Sequence, residues 1–273
     1  MARVLALSSQ VAFGTVGLAV TARALQALGH EVIGLPSIVL SNHPRYRHVA
    51  GDKIPAVDLD KMLAALAANG WLRTTDAVFT GYLPTPSHVV TACAAIRRVR
   101  AGNASAFVMC DPIFGDDPDG LYLDAPTAAT IRQQLLPICD LASPNRFELA
   151  WLTGKKVESP EGAAEAARSL GVPAVIATSV PAPDDRLATI YAAENEACGC
   201  FVPRRRTAPH GTGDLLAALY LGHALNGAPP GMALGAAAAD VEAAIGASTG
   251  RDELSLAGDG TLGRAKSLPA VPI

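Results

Sequence analysis

The sequence has no surplus of positive charge: 22 lysines and arginines against 25 aspartates and glutamates leave a formal charge of -3. Without a broad basic excess nothing displaces the counterions of a nucleic acid, so a nucleic-acid surface is excluded. The one basic run, Arg204-Arg205-Arg206, reads as a solvated strand end, with attraction for nucleotide phosphate as the alternative. Cysteine is scarce too. Its five residues show no C-x-x-C spacing, which excludes a disulfide framework and points to reduced thiols in a cytoplasmic protein. Cys198-Gly199-Cys200 is the only close pair, and its central glycine suits an extended segment better than a zinc knuckle. Val4-Leu5-Ala6-Leu7 is too brief for a signal-peptide core or a bilayer span, so neither export nor membrane insertion is expected. Internal repeats, low-complexity tracts and long charged blocks are absent. So is Gly-x-x-x-x-Gly-Lys-Ser/Thr, which excludes the common P-loop. Gly14-Thr15-Val16-Gly17 resembles a dinucleotide fingerprint only loosely, lacking the third glycine, and reads instead as a turn into the first helix.

What is present is apolar: 50% of 273 residues are hydrophobic, enough to bury a large core in one domain. Short apolar runs alternate with helical patterns. Strands are expected at Val4–Leu7, Glu31–Leu35 (ended by Pro36), Ala77–Phe79, Ala106–Cys110 and Ala174–Ala177. Helices are expected at Val16–Leu28, Leu59–Ala68, Ser87–Arg100, Thr127–Leu136, Arg146–Leu152, Glu161–Leu170, Thr212–Leu225 and Met232–Ile245. Arg186–Tyr191 and Ala197–Val202 are spaced as a hairpin. Regular alternation implies an α/β fold with a mainly parallel sheet covered on both faces, and such sheets bind ligands beyond the carboxyl ends of their strands. That rule places Ser8-Ser9, Asn42-His43, Gly81-Tyr82, Asp111 and Thr178 on one rim. Pro44–Pro55 lacks periodicity and suits a mobile loop over the site, and from Gly246 the pattern fades into a surface strap or partly disordered tail.

Gly211-Thr212-Gly213-Asp214 runs straight into the apolar helix that starts with Leu215. Two glycines permit a tight turn at a helix start, where free amides and the helix dipole make an anion pocket. A carboxylate inside that pocket reads as a general base in phosphoryl transfer, and an N-terminal cap is the alternative. Asp111 follows a buried strand, and Pro112 holds it extended. Asn145 and Glu148 share one face of a helix start. With Asp116 they supply oxygen ligands suited to magnesium held through water and nucleotide phosphates, although each alone also suits a cap or turn.

On these motifs the chain resembles the pyridoxal kinases of the ribokinase-like superfamily. The stretches that carry the resemblance are Leu7–Gly14, Ser41-Asn42-His43, Thr80-Gly81-Tyr82, Cys110–Asp116, Ser143–Glu148 and Gly211–Asp214, and it runs from about Val4 to Ala244. It implies a three-layer ribokinase-like fold over residues 1–273 as one kinase domain, with a substrate loop at about 41–55 and a strap at about 246–273. By resemblance Asp214 is the base that deprotonates a hydroxymethyl group, and Gly211, Thr212 and Gly213 form the anion hole for the phosphoryl group. Asp111 and Glu148 organise magnesium and ATP, with Asp116 and Asn145 as lesser candidates, while Ser143 and Thr178 contact nucleotide. Ser9, His43, Pro44 and Tyr82 line the substrate end, Tyr82 packing on the ring. ATP, Mg2+, a pyridoxal-like alcohol, a possible monovalent-cation site and a cytoplasmic homodimer complete the expectation. The chain departs from the family at Pro44, where Thr is usual, and at Gln10, where His is usual. Hydroxymethylpyrimidine kinase is the nearest alternative, another small-molecule kinase of the superfamily is more distant, and a non-catalytic vitamin-binding protein is the reading from another class.

Overall fold

The computed structural model describes residues 1–205, 207–256 and 262–273. In chain order the elements are β1 (Arg3–Val11), α1 (Leu18–Ala27), β2 (Glu31–Leu40), β3 (Gly51–Lys53), α2 (Ala56–Ala68), β4 (Ala77–Thr80), α3 (Pro86–Gly102), β5 (Phe107–Cys110), β6 (Gly115–Asp116) and β7 (Gly120–Leu121). There follow α4 (Ala125–Thr130), β8 (Leu141–Ala142), α5 (Arg146–Thr153), α6 (Pro160–Arg168), β9 (Ala174–Ala182), β10 (Arg186–Ala193), β11 (Ala197–Pro203), α7 (Thr212–Leu225), α8 (Pro230–Ala247) and β12 (Val271–Pro272). A ten-stranded sheet has the order β12-β11-β10-β9-β8-β5-β4-β1-β2-β3, and β6 and β7 form a separate two-stranded ribbon. Pairing is parallel from β2 across β1, β4, β5 and β8 to β9, and antiparallel at both margins.

Strand side chains alternate between two apolar layers. Leu5, Leu7, Val78, Val108 and Val175 join the core under α2 to α6, whereas Val4, Ala6, Phe79, Met109 and Ile176 pack with α1, α7 and α8. A central parallel sheet buried on both faces needs near-continuous apolar strands, which these are. Helix α7 is buried from Leu215 to Gly222, consistent with a helix apolar all round. Among the described residues, no helix is long and apolar enough to cross a membrane.

The structure departs from the sequence expectations at several points. Pro36 does not end the second strand, which runs on to Leu40: the proline falls where the β1–β2 register breaks between Ser8 and Gln10, and a bulge tolerates the missing donor. Within the loop expected at residues 44–55, Gly51–Lys53 pairs antiparallel with Ile38–Leu40. The first helix starts at Leu18 because Gly17 takes φ 56, outside the helical region. The helix expected at 127–136 winds as α, then π over Ile131–Leu135, then 3-10 over Leu136–Ile138. Strand β8 has no counterpart among the expected strands, because two residues carry no period. In the tail, Val271 pairs with Gly199 in β11, and Asp240 of α8 accepts the Gly263 and Ala265 amides at 2.7 and 3.0 Å, so residues 262–273 strap the surface. The tail expected from Gly246 starts later, since Gly246 and Ala247 still belong to α8, and residues 257–261 lie outside the described residues, as does Arg206 of the basic run.

Candidate active site

A cavity of about 670 Å³ opens at the carboxyl ends of the parallel strands, and the fold brings into its lining the residues given catalytic, nucleotide, metal or substrate roles from the sequence: Ser9, His43, Pro44, Tyr82, Asp111, Asp116, Ser143, Asn145, Glu148, Thr178 and Gly211 to Asp214. Three residues expected on the rim stay behind it. Ser8 is fully buried and its hydroxyl accepts the Tyr82 amide at 3.1 Å. Gly81 packs so tightly that a Cβ would lie 2.4 Å from Ser8 Oγ. Asn42 braces the loop by donating from Nδ2 to the carbonyls of His43 and His48 at 3.2 and 3.1 Å. Gln10 folds back to donate to the Val11 carbonyl at 2.8 Å and does not line the cavity, so that departure lies away from it.

Gly211 precedes α7 at φ 91, and a Cβ there would fall 1.9 Å from the Thr15 carbonyl oxygen, so only glycine makes this turn. Gly211 is the N-cap, and among the described residues no side chain caps α7. The alternative reading of Thr212 or Asp214 as a cap therefore fails, and the orphan amides of the first turn belong to the cavity. Asp214 Oδ1 is buried and has no hydrogen-bond partner among the described residues. Desolvation raises its pKa to about 6, with the Gly17 amide pulling the other way.

Asp111 sits just past β5 and is 6% exposed. Ser143 Oγ donates to its Oδ1 at 3.1 Å, while burial first and the Asp214 charge second push its pKa up to about 8. Glu148 is buried and its oxygens are occupied: Oε2 accepts the Asn145 amide at 2.8 Å, and Oε1 accepts the Phe114 and Gly115 amides at 3.0 and 3.3 Å. Asn145 completes a capping box by accepting the Glu148 amide at 2.9 Å, and its Nδ2 donates to the Gly115 carbonyl at 2.8 Å. Both residues thus build the start of α5 and pin the Phe114–Gly115 turn. Burial, then the Asp111 charge, still raise the Glu148 pKa. Asp116 is raised mainly by desolvation. This gathering of carboxyl groups has the oxygen chemistry of a hard divalent cation, but among the described residues no three acidic, His or Cys side chains cluster as a metal cage. The residues fit a cation that keeps waters and phosphate oxygens as most of its ligands.

At the other end of the cavity, the Tyr46 amide donates to the His43 carbonyl at 3.2 Å, closing a turn with Pro44 in second place, where its fixed φ is favourable. The turn aims Arg45 at Asp119 of the β6–β7 ribbon, and the pair bridges the mouth. The His43 ring stacks on His210, centroids 4.0 Å apart and planes 10° apart. Burial, reinforced by His210, lowers the His43 pKa to about 4, so the ring is neutral at pH 7. Sequence reasoning assigned no role to His210, Arg45, Asp119, Tyr122 or Ser179, all in the lining. His210 was findable as the residue before the glycine turn. Ser179, with φ 57, carries no sequence signal for its left-handed backbone.

A family model described as phosphomethylpyrimidine kinase matches residues 21–256. The chain is 34% identical over 263 residues to a pyridoxine/pyridoxal/pyridoxamine kinase of Bordetella bronchiseptica, covering 93% of each chain. It is 32% identical over 249 residues to a pyridoxal kinase of Rubrobacter xylanophilus, covering 89% of this chain and 86% of that one. Among solved structures, the pyridoxal kinase of Leishmania donovani in complex with ADP and pyridoxine superposes with a TM-score of 0.93 at 27% identity, covering 99% of both chains.

Proposed function

The chain belongs to the pyridoxal kinase family within the ribokinase-like superfamily, and from that premise we propose that it transfers the γ-phosphate of ATP to the 5'-hydroxymethyl group of pyridoxal, giving pyridoxal 5'-phosphate. One observation carries the reading: Asp214, half-buried but with its Oδ1 buried and unpartnered, stands in the first turn of a helix whose amides no side chain among the described residues caps. Asp214 accepts the proton of the alcohol, whose oxygen bonds to the γ-phosphorus as the bond to the ADP oxygen breaks. The amides of Gly211 to Gly213 hold the charge that develops on the phosphoryl oxygens. A base whose pKa is about 6 is close to its working pH, where general-base catalysis is most effective.

Nucleotide lies along Ser143, Thr178 and the start of α5 in this reading, and the aromatic alcohol lies between Ser9, Tyr82 and the His43–Pro44 turn. Asp111 and Glu148, with Asp116 near, would hold magnesium through water, and the ion would supply charge neutralisation to the phosphates. Asn145 contributes by fixing Glu148. Residues 1–273 act as one catalytic domain, and the resemblance extends to a cytoplasmic homodimer, which sedimentation would test. The family model's description names a phosphomethylpyrimidine, so the related pyrimidine alcohol, hydroxymethylpyrimidine, is the second candidate. A coupled ADP-release assay separates the two readings. Turnover should be highest on pyridoxal, pyridoxine or pyridoxamine, and turnover confined to hydroxymethylpyrimidine would overturn the choice of substrate.

A further inference from the structure

The turn Gly14–Gly17 follows β1 and touches both parts of the proposed transfer centre. Its Thr15 carbonyl abuts Gly211 so closely that a Cβ there would be 1.9 Å away, and its Gly17 amide acts on the Asp214 carboxylate. With φ of 118 at Gly14 and 56 at Gly17, the turn is bounded by two permissive glycines. Such a turn needs outside partners to hold one shape.

Those partners come from the far end of the chain. Thr15 N donates to Glu253 Oε2 at 2.9 Å, and Thr15 Oγ1 donates to the Leu254 carbonyl at 2.9 Å. Glu253 fits against the turn with no space between, since a Cβ on Gly14 would come within 2.7 Å of Oε2. The same segment holds the anion turn: His210 N donates to the Asp252 carbonyl at 2.8 Å, and His210 bridges to Glu253. Leu254, 3% exposed, anchors the segment in the layer that contains α7. Tyr46 of the substrate loop lies edge-on to His210, centroids 6.4 Å apart. Glu253 is absent from the cavity lining, so it acts through other residues.

We infer that Glu253 is a positioning residue for phosphoryl transfer: its hydrogen bond to Thr15 fixes the Gly14–Gly17 turn beneath Gly211 and Asp214, while its neighbour Asp252 fixes His210. The inference rests on the reading of Asp214 and Gly211–Gly213 as the transfer centre. Misplacing reacting groups by about an ångström costs about 100-fold in rate, so loss of this support falls on kcat and spares nucleotide binding.

The test compares E253A with E253Q, whose amide oxygen still accepts from Thr15, and runs D214N in parallel. E253A should lose about 10- to 100-fold in kcat, with KM for ATP changed less than about threefold, and should show faster amide exchange in peptides covering 12–18 and 208–214. E253Q should restore most of both. E253D keeps the charge but is one methylene short; it should behave as E253A does, and it carries the test if E253A fails to fold. Wild-type kcat and exchange in E253A, a loss confined to KM, or E253Q as impaired as E253A would each overturn the inference. If D214N keeps its turnover, the transfer-centre reading fails instead, and the exchange of 12–18 still shows whether the turn hangs from Glu253.

Discussion

Replacing Asp111 with Asn should stabilise the fold at pH 8 while leaving it nearly unchanged near pH 4. The carboxyl is 6% exposed, receives one hydrogen bond, from Ser143, and faces the Asp214 charge, so its pKa in the folded chain is about 8. In the unfolded chain it returns to about 3.9. Below about pH 4 both states carry the proton and the shift has no effect. Between about pH 4 and pH 8 the folded state binds more protons than the unfolded state, so stability falls as pH rises. At about 1.36 kcal/mol per pKa unit, the loss by pH 8 has an upper bound of about 5 kcal/mol. Asn has the same shape, keeps an acceptor for Ser143 and does not titrate. At roughly 2 °C per kcal/mol for a chain of this length, D111N should melt on the order of 5–10 °C higher at pH 8. The assay is paired thermal melting of wild type and D111N from pH 4 to pH 8. An equal shift at every pH, or a lower melting temperature at pH 8, would refute the claim that this site stores unfavourable charge. In our reading the same variant loses activity, because Asp111 then no longer organises the cation; stability surrendered at a functional site is a common exchange.

Two further outcomes follow from the same geometry. The acid limb of kcat/KM should bend near pH 6, since Asp214 must be deprotonated to act and its pKa is about 6; the rate should be about tenfold lower at pH 5. A limb near pH 4 in the wild type would contradict the assignment. G211A should lose at least about 100-fold in kcat, since its Cβ would meet the Thr15 carbonyl at 1.9 Å with φ at 91. G246A in α8, with nothing within 4 Å of its Cβ, is the control: activity should be unchanged and stability higher by about 0.5–1 kcal/mol.

The layered architecture was legible because the central strands are apolar on both faces and their helices carry glycine or proline punctuation. Ala77–Phe79 and Ala174–Ala177 could hardly be anything but buried strands. Short elements were not legible: β8 and the β6–β7 ribbon have two residues per strand, and pairing alone defines them. At the site, the position of short motifs was readable: the residues given roles from them line the cavity, while Ser8, Asn42 and Gly81 of the same motifs stay behind it. Contacts made across long separations were not. Nothing near Thr15 announces a bond to Glu253, 238 residues away. Nor does the sequence show that Glu148 spends its oxygens on three backbone amides, which makes it first a builder of α5 and its neighbouring turn.

The central claim is that the Asp214 carboxylate removes the proton from the incoming alcohol. Turnover of D214N with ATP and pyridoxal, measured by ADP release alongside nucleotide affinity by calorimetry, tests it most directly. The account predicts a fall in kcat of roughly 100- to 10,000-fold with nucleotide affinity nearly unchanged. Turnover close to that of the wild type would contradict it.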